Sequence, residues 1–105
     1  MRYYPICLDL QNRPVLVVGG GMIAEGKVLQ LVEAQANVHI VSPTLTEALR
    51  QKVAQGIITY RSGEFAETDL DDKALVISAT NIKPKLKKHL IYSIRILNLP
   101  VIYAI

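Results

Sequence analysis

Pro14-Val15-Leu16-Val17-Val18-Gly19-Gly20-Gly21-Met22-Ile23-Ala24 runs without a charge from a β-branched block, through three glycines, into a helical pattern. A continuous apolar block of this kind suits a central parallel strand covered on both faces. Beyond the glycines, Met22, Ile23, Val28, Leu31 and Val32 recur near helical spacing through about Gln35, so the segment reads strand, tight turn, helix. Gly19, Gly21 and Ala24 match the pattern G-x-G-x-x-(G or A) in the context where that pattern has a mechanism. Gly19 permits the sharp turn, Gly21 lets the main chain approach a pyrophosphate, and Ala24 keeps the helix close to the sheet. The free N–H groups at the helix start then face the anion, and the helix dipole favours its charge.

Working outward, Val38 to Val41 is a second strand, and Ser42-Pro43-Thr44 turns the chain into a helix with Leu45, Leu49 and Val53 on one face. Thr44 with Glu47 makes a capping-box pattern, and Gly56 stands where that helix wants a left-handed residue. Ile57 to Arg61 reads as a third strand, and a polar connection from Ser62 to Lys73 is anchored by Phe65 and Leu70. Leu75 to Ser78 is a fourth strand ending at Ala79-Thr80. A basic helix follows, with Pro84 in its first turn and Leu86, Leu90, Ile94 and Leu97 as its apolar stripe. Asn98 and Pro100 stop it before a fifth strand, Val101 to Ala104. The alternation predicts an α/β fold, one Rossmann-like, doubly wound parallel sheet of about five strands in the order 3-2-1-4-5, and the glycine motif within it makes residues 1–105 one expected NAD-binding domain.

The acidic residue expected about 20 positions after the glycines is absent, because the second strand ends in Val41-Ser42-Pro43-Thr44. The hydroxyls of Ser42 and Thr44, or nearby backbone groups, are the candidates for the ribose, although the same residues also suit a turn and a cap. No arginine adjoins the strand end in the sequence, which favours NAD over NADP. Ligands sit outside the carboxyl ends of parallel strands, so the Ala79-Thr80 loop is expected to face the nicotinamide half.

Composition excludes several other classes. With 105 residues, half hydrophobic and a fifth charged, the chain is neither disordered nor long enough for a second, substrate-holding domain. The single Cys7 allows no intrachain disulfide and no multi-cysteine zinc pattern, which fits a reducing, cytoplasmic setting. No apolar run reaches the length of a membrane span, and Asp9 interrupts the only candidate export signal. Residues 1–72 hold six basic and nine acidic side chains, whereas residues 73–105 hold six basic and none acidic. Lys83, Lys85, Lys87 and Lys88 read as a solvated helix face rather than a nucleic-acid surface, because no aromatics or arginines interleave with them. Cys7 reads as a small buried residue, His39 as strand packing, His89 as a surface residue, and Asp69, Asp71 and Asp72 as solvated turn acids; no protein metal site is expected.

Tyr4-Pro5-Ile6, Leu8-Asp9-Leu10, Arg13 through Gly21, Ala24-Glu25, Lys27, Val41-Ser42-Pro43 and Ala79-Thr80 together resemble the amino-terminal module of siroheme synthases. That module is the NAD-dependent precorrin-2 dehydrogenase, in many members also the sirohydrochlorin ferrochelatase. The resemblance covers essentially the whole chain. It implies that NAD lies across Gly19, Gly20, Gly21, Met22 and Ile23 and across Ser42, Pro43 and Thr44, with Ala79 and Thr80 lining the same cleft. It also implies hydride transfer from the tetrapyrrole precorrin-2, and a homodimer held largely by a helical region after the fifth strand, which this sequence lacks.

The departures are specific. The family usually has Arg where Gly26 stands and Gly where Gln35 stands. Its favoured catalytic aspartate follows the fifth strand, but aligning Pro100-Val101 places Ile102, Tyr103, Ala104 and Ile105 there. No catalytic residue is therefore assigned, and the chain is expected to bind cofactor better than it catalyses. A truncated or rearranged gene product, an excised domain and a degenerate relative retained for binding all fit. The main alternative is a non-catalytic module that senses NAD or NADH.

Overall fold

The computed structural model describes residues 6–79 together with two later strands, Tyr92–Ile96 and Val101–Ala104. In chain order the elements are β1 (Ile6–Leu8), β2 (Pro14–Val18), α1 (Met22–Glu33), β3 (Asn37–Ser42), α2 (Glu47–Ala54), β4 (Thr59–Ser62), a 3₁₀ turn (Glu67–Leu70), β5 (Leu75–Ala79), β6 (Tyr92–Ile96) and β7 (Val101–Ala104). The main sheet has the order β4-β3-β2-β5-β6. Its first four strands are parallel: Val15 pairs in register with both Val38 and Leu75, and Ser42 with Ser62. This is the Rossmann-like α/β arrangement expected from the strand and helix pattern, with strand order reversing beside β2.

β2 is central, and Val15, Leu16 and Val17 are all fully buried. Successive strand side chains point to opposite faces, so β2 serves two cores. Val15 and Val17 join Ala24, Val28 and Leu31 of α1 and Leu49 of α2 in the larger one. Leu16 joins Val41 and Val76 in the smaller one, against which Leu70 packs. Each fully buried Val or Leu contributes about 1.5–3 kcal/mol relative to exposure. The fully buried Ala24 lets α1 lie close over β2, β3 and β5.

The helices end as their sequences allow. α2 is followed by Gly56 at φ 78°, its amide bonded to the Val53 carbonyl and that of Ile57 to Lys52, which is a Schellman cap. α1 ends in the same bonding pattern, Gln35 to Val32 and Ala36 to Leu31, but the left-handed position at φ 65° is Gln35. This explains why a glycine suits that position.

Three expectations are corrected. The helix predicted through Leu97 is contradicted over Tyr92–Ile96, which is strand β6, antiparallel to β5 with Ala79 opposite Tyr92 and Leu75 opposite Ile96. Tyr92-Ser93-Ile94-Arg95-Ile96 alternates with period two in β-favouring residues, and Ile94 also happened to fall on the helical stripe. Val101–Ala104 is a strand as expected but does not extend the parallel sheet: it pairs antiparallel with β1, Cys7 opposite Tyr103. The cap of α2 is Thr46, whose hydroxyl accepts from the Leu49 amide at 3.3 Å, rather than Thr44. Pro84, the lysine run, His89 and the leader Tyr3-Tyr4-Pro5 lie outside the described residues. Among the described residues no helix is long and apolar enough to cross a membrane.

Candidate functional site

The four parallel strands β2, β3, β4 and β5 all end on the same edge, and the segments that leave them converge there. β2 leads into Gly19, whose φ of 126° is open to glycine and strained for any other residue. Its amide donates to the Val41 carbonyl at 2.9 Å, tying the loop to β3. Gly20 faces the β3–α2 connection so closely that a Cβ there would lie 2.1 Å from the Thr44 carbonyl oxygen and 2.9 Å from Ser42 Oγ. The Thr46 amide donates to the Gly20 carbonyl at 3.0 Å. Two bare glycines thus allow the first loop to lie flat against the second.

Gly21 is the N-cap of α1 in an extended conformation, with no side-chain cap. The first amide of the helix to find a carbonyl within it is that of Glu25, bonded to Gly21 at 2.9 Å. Helix geometry leaves the preceding N–H groups without intrahelical partners, pointing out of the helix start. Donors of this kind, in the absence of a competing side chain, suit an anion.

The cleft between these loops has a volume of about 600 Å³ and is lined by residues 19–21, 41–44 and 63–65 and by Ala79. Of the residues singled out from sequence, Gly19, Gly20, Gly21, Ser42, Pro43, Thr44 and Ala79 come together on its wall. Met22 opens α1 with its side chain 79% exposed, and Ile23 packs against the larger core, so what these two can offer the cleft is main-chain N–H. Thr80 lies outside the described residues.

The third wall, Gly63-Glu64-Phe65, was missed in the sequence. Phe65, expected to be an anchor, is 43% exposed and lines the cleft, while Leu70 does pack inward. The wall is held by Arg61, which donates from Nε to Asp69 Oδ1 at 3.1 Å, from Nη2 to Asp69 Oδ2, and from Nη2 to the Glu64 carbonyl at 3.1 Å. Asp69 also accepts from the Ala66 amide at 2.8 Å, and these bonds hold its carboxyl below the usual carboxylate range. Asp69 is therefore a loop brace rather than a solvated turn acid. Behind the wall, the Ser42 carbonyl accepts from both Tyr60 Oη at 2.8 Å and the Gly63 amide at 3.1 Å.

The other candidates stand apart from the cleft. His39 Nδ1 lies 2.6 Å from Thr59 Oγ1 at the opposite end of the strands, and burial, followed by Lys73, pushes its pKa down. Cys7 is a half-buried free thiol on β1. Among the described residues no group of three His, Cys, Asp or Glu is placed to hold a metal ion.

A family model described as "Putative NAD(P)-binding" matches residues 6–104. Over 80 residues the chain is 46% identical to siroheme synthase 1 of Klebsiella pneumoniae subsp. pneumoniae, an alignment covering 76% of this chain and 17% of that protein. It is 43% identical over 82 residues to the siroheme synthase of Nitrosomonas europaea, covering 77% of this chain and 17% of that protein. Among solved structures, "SirC, precorrin-2 dehydrogenase" matches with a TM-score of 0.72 at 32% identity, over 76% of this chain and 40% of that one. The chain spans less than a fifth of the length of these curated relatives. With the glycine loop, the strand order and these matches in agreement, the chain belongs to the NAD(P)-binding family, as a homologue of siroheme synthases and of precorrin-2 dehydrogenase.

Proposed function

We propose that the chain is the NAD-binding part of a precorrin-2 dehydrogenase of siroheme biosynthesis. The observation that carries this reading is the glycine loop, bare at Gly20 and Gly21 and leading directly into the uncapped start of α1. The residues fit a dinucleotide: the first-turn N–H groups hold the pyrophosphate, Ser42 and Thr44 take the adenosine ribose, Pro43 and Phe65 flank the adenine, and Ala79 faces the nicotinamide side. NAD bound there supplies the hydride acceptor for oxidation of precorrin-2 to sirohydrochlorin. The substrate bears many carboxylates, and the excess of six basic over no acidic residues in 73–105 favours its approach to the chain.

The position of the family's catalytic aspartate is filled by Ile102, Tyr103, Ala104 and Ile105, none of which offers a carboxylate. This part of the chain therefore binds and orients, and does not relay the proton. The same observation favours the second reading, a module that senses NAD or NADH and signals to a partner without turnover. Assembly as a homodimer and a cytoplasmic location belong to the first reading.

Calorimetry with NAD and, separately, NADH absorbance on adding precorrin-2 test the two halves. NAD binding is expected, and Gly21→Val is expected to abolish it; absorbance growth would assign turnover to this chain, and no NAD binding would remove the proposal. NADH binding without turnover, together with a stable partner contact, would favour the sensor.

A further inference from the structure

The cleft lacks the acidic residue that ordinarily grips the ribose from the end of the second parallel strand, since β3 ends in Ser42 and continues into Pro43-Thr44. The neighbouring strand supplies one. β4 pairs in parallel register with β3, Ser62 opposite Ser42, and Glu64 lies two residues beyond that pair on the cleft wall. Among the described residues that line the cleft it is the one charged side chain. Its backbone is fixed from both sides, by the Gly63 amide on the Ser42 carbonyl and by Arg61 Nη2 on its own carbonyl.

Position in the sheet sorts the roles. β4 and β2 flank β3, so the Glu64 loop stands about two strand spacings, roughly 10 Å, from the glycine loop. A carboxylate there is remote from a pyrophosphate on α1 and beside whatever Ser42 and Thr44 hold. Arg61, the nearby cation, is engaged by Asp69 and does not line the cleft, so it is not free to clamp a phosphate.

We propose that Glu64 is the specificity-determining residue of this cleft, accepting hydrogen bonds from the adenosine ribose hydroxyls and repelling a 2′-phosphate, so that NAD is selected over NADP. This rests on the reading that a dinucleotide occupies the cleft. An ionised carboxylate only accepts, which matches two vicinal hydroxyls and opposes a phosphate dianion.

The test is calorimetric titration of the chain, Glu64→Gln and Glu64→Lys with NAD and with NADP. The unmodified chain is expected to prefer NAD by about tenfold or more, E64Q to lose most of that preference, and E64K to reverse it. A preference unchanged within about twofold in both variants overturns the role of Glu64 while leaving the cofactor site intact. Loss of both cofactors by both variants with unchanged circular dichroism also overturns it, because a residue that only sorts the ribose leaves the pyrophosphate contacts in place. Absence of binding of either cofactor to the unmodified chain instead removes the site itself, and the inference with it.

Discussion

The backbone amide of Thr46 donates to the carbonyl of Gly20 at 3.0 Å, so the glycine loop and the cap of α2 are built as one piece. Thr46 also caps α2 through its hydroxyl, which makes the second helix depend on the first loop's position.

Gly20→Ala therefore acts on both fold and site. Its Cβ would meet a backbone oxygen, which cannot swing aside as a side chain can. A loss of about 1–3 kcal/mol is expected in urea melts, with weaker NAD binding by calorimetry.

Gln35 and Gly26 are each placed where the other's residue type would do better. Gln35 takes the left-handed cap position of α1, and exposed Gly26 lies in the helix interior with no atom near its missing Cβ. Gln35→Gly and Gly26→Ala are each expected to stabilise by about 1 kcal/mol, with NAD affinity unchanged. Denaturant midpoints at constant slope provide the check.

Asp69 braces the third wall, and its carboxyl is held below the usual range first by the Arg61 hydrogen bond and then by the Ala66 amide. A lowered folded pKa means stability that is present above the unfolded value, about 4, and lost as the pH falls through the folded one. Unfolding of the unmodified chain should steepen in that acid window, and Asp69→Asn should flatten the slope. The variant should also weaken NAD binding through the loosened Gly63-Glu64-Phe65 wall, without altering the far end of the sheet.

His39 titrates in a different window. Burial favours its neutral form in the fold, so stability is present above about pH 6.5 and falls as the pH drops from there through the lowered folded value. His39→Gln should remove that dependence in melts between about pH 7.5 and about pH 5, roughly one unit or more on either side of the free imidazole pKa. NAD affinity at neutral pH should not change, since His39 stands at the opposite end of the strands from the cleft.

The central strand, the glycine loop, α1 and the order of four parallel strands were legible because each rests on a strong local signal: β-branched runs, three adjacent glycines, and helical spacing. The Gly63-Glu64-Phe65 wall was not, because its place in the site comes from strand pairing and from an Arg61–Asp69 brace eight residues long, neither of which leaves a motif. Thr44 was mistaken for the cap because Thr46, two residues on, competes for the same helix start. β6 was hidden by Ile94, which fits both a helical stripe and the alternation of Tyr92, Ile94 and Ile96.

Amide chemical shifts followed by nuclear magnetic resonance during NAD titration test the main claim most directly. The largest changes are predicted at Gly19, Gly20 and Gly21, at the amides opening α1, and at Ser42, Thr44, Gly63 and Glu64. Shifts clustered instead around His39, Thr59 and Lys73 at the other end of the sheet, or none at saturating NAD, would contradict it.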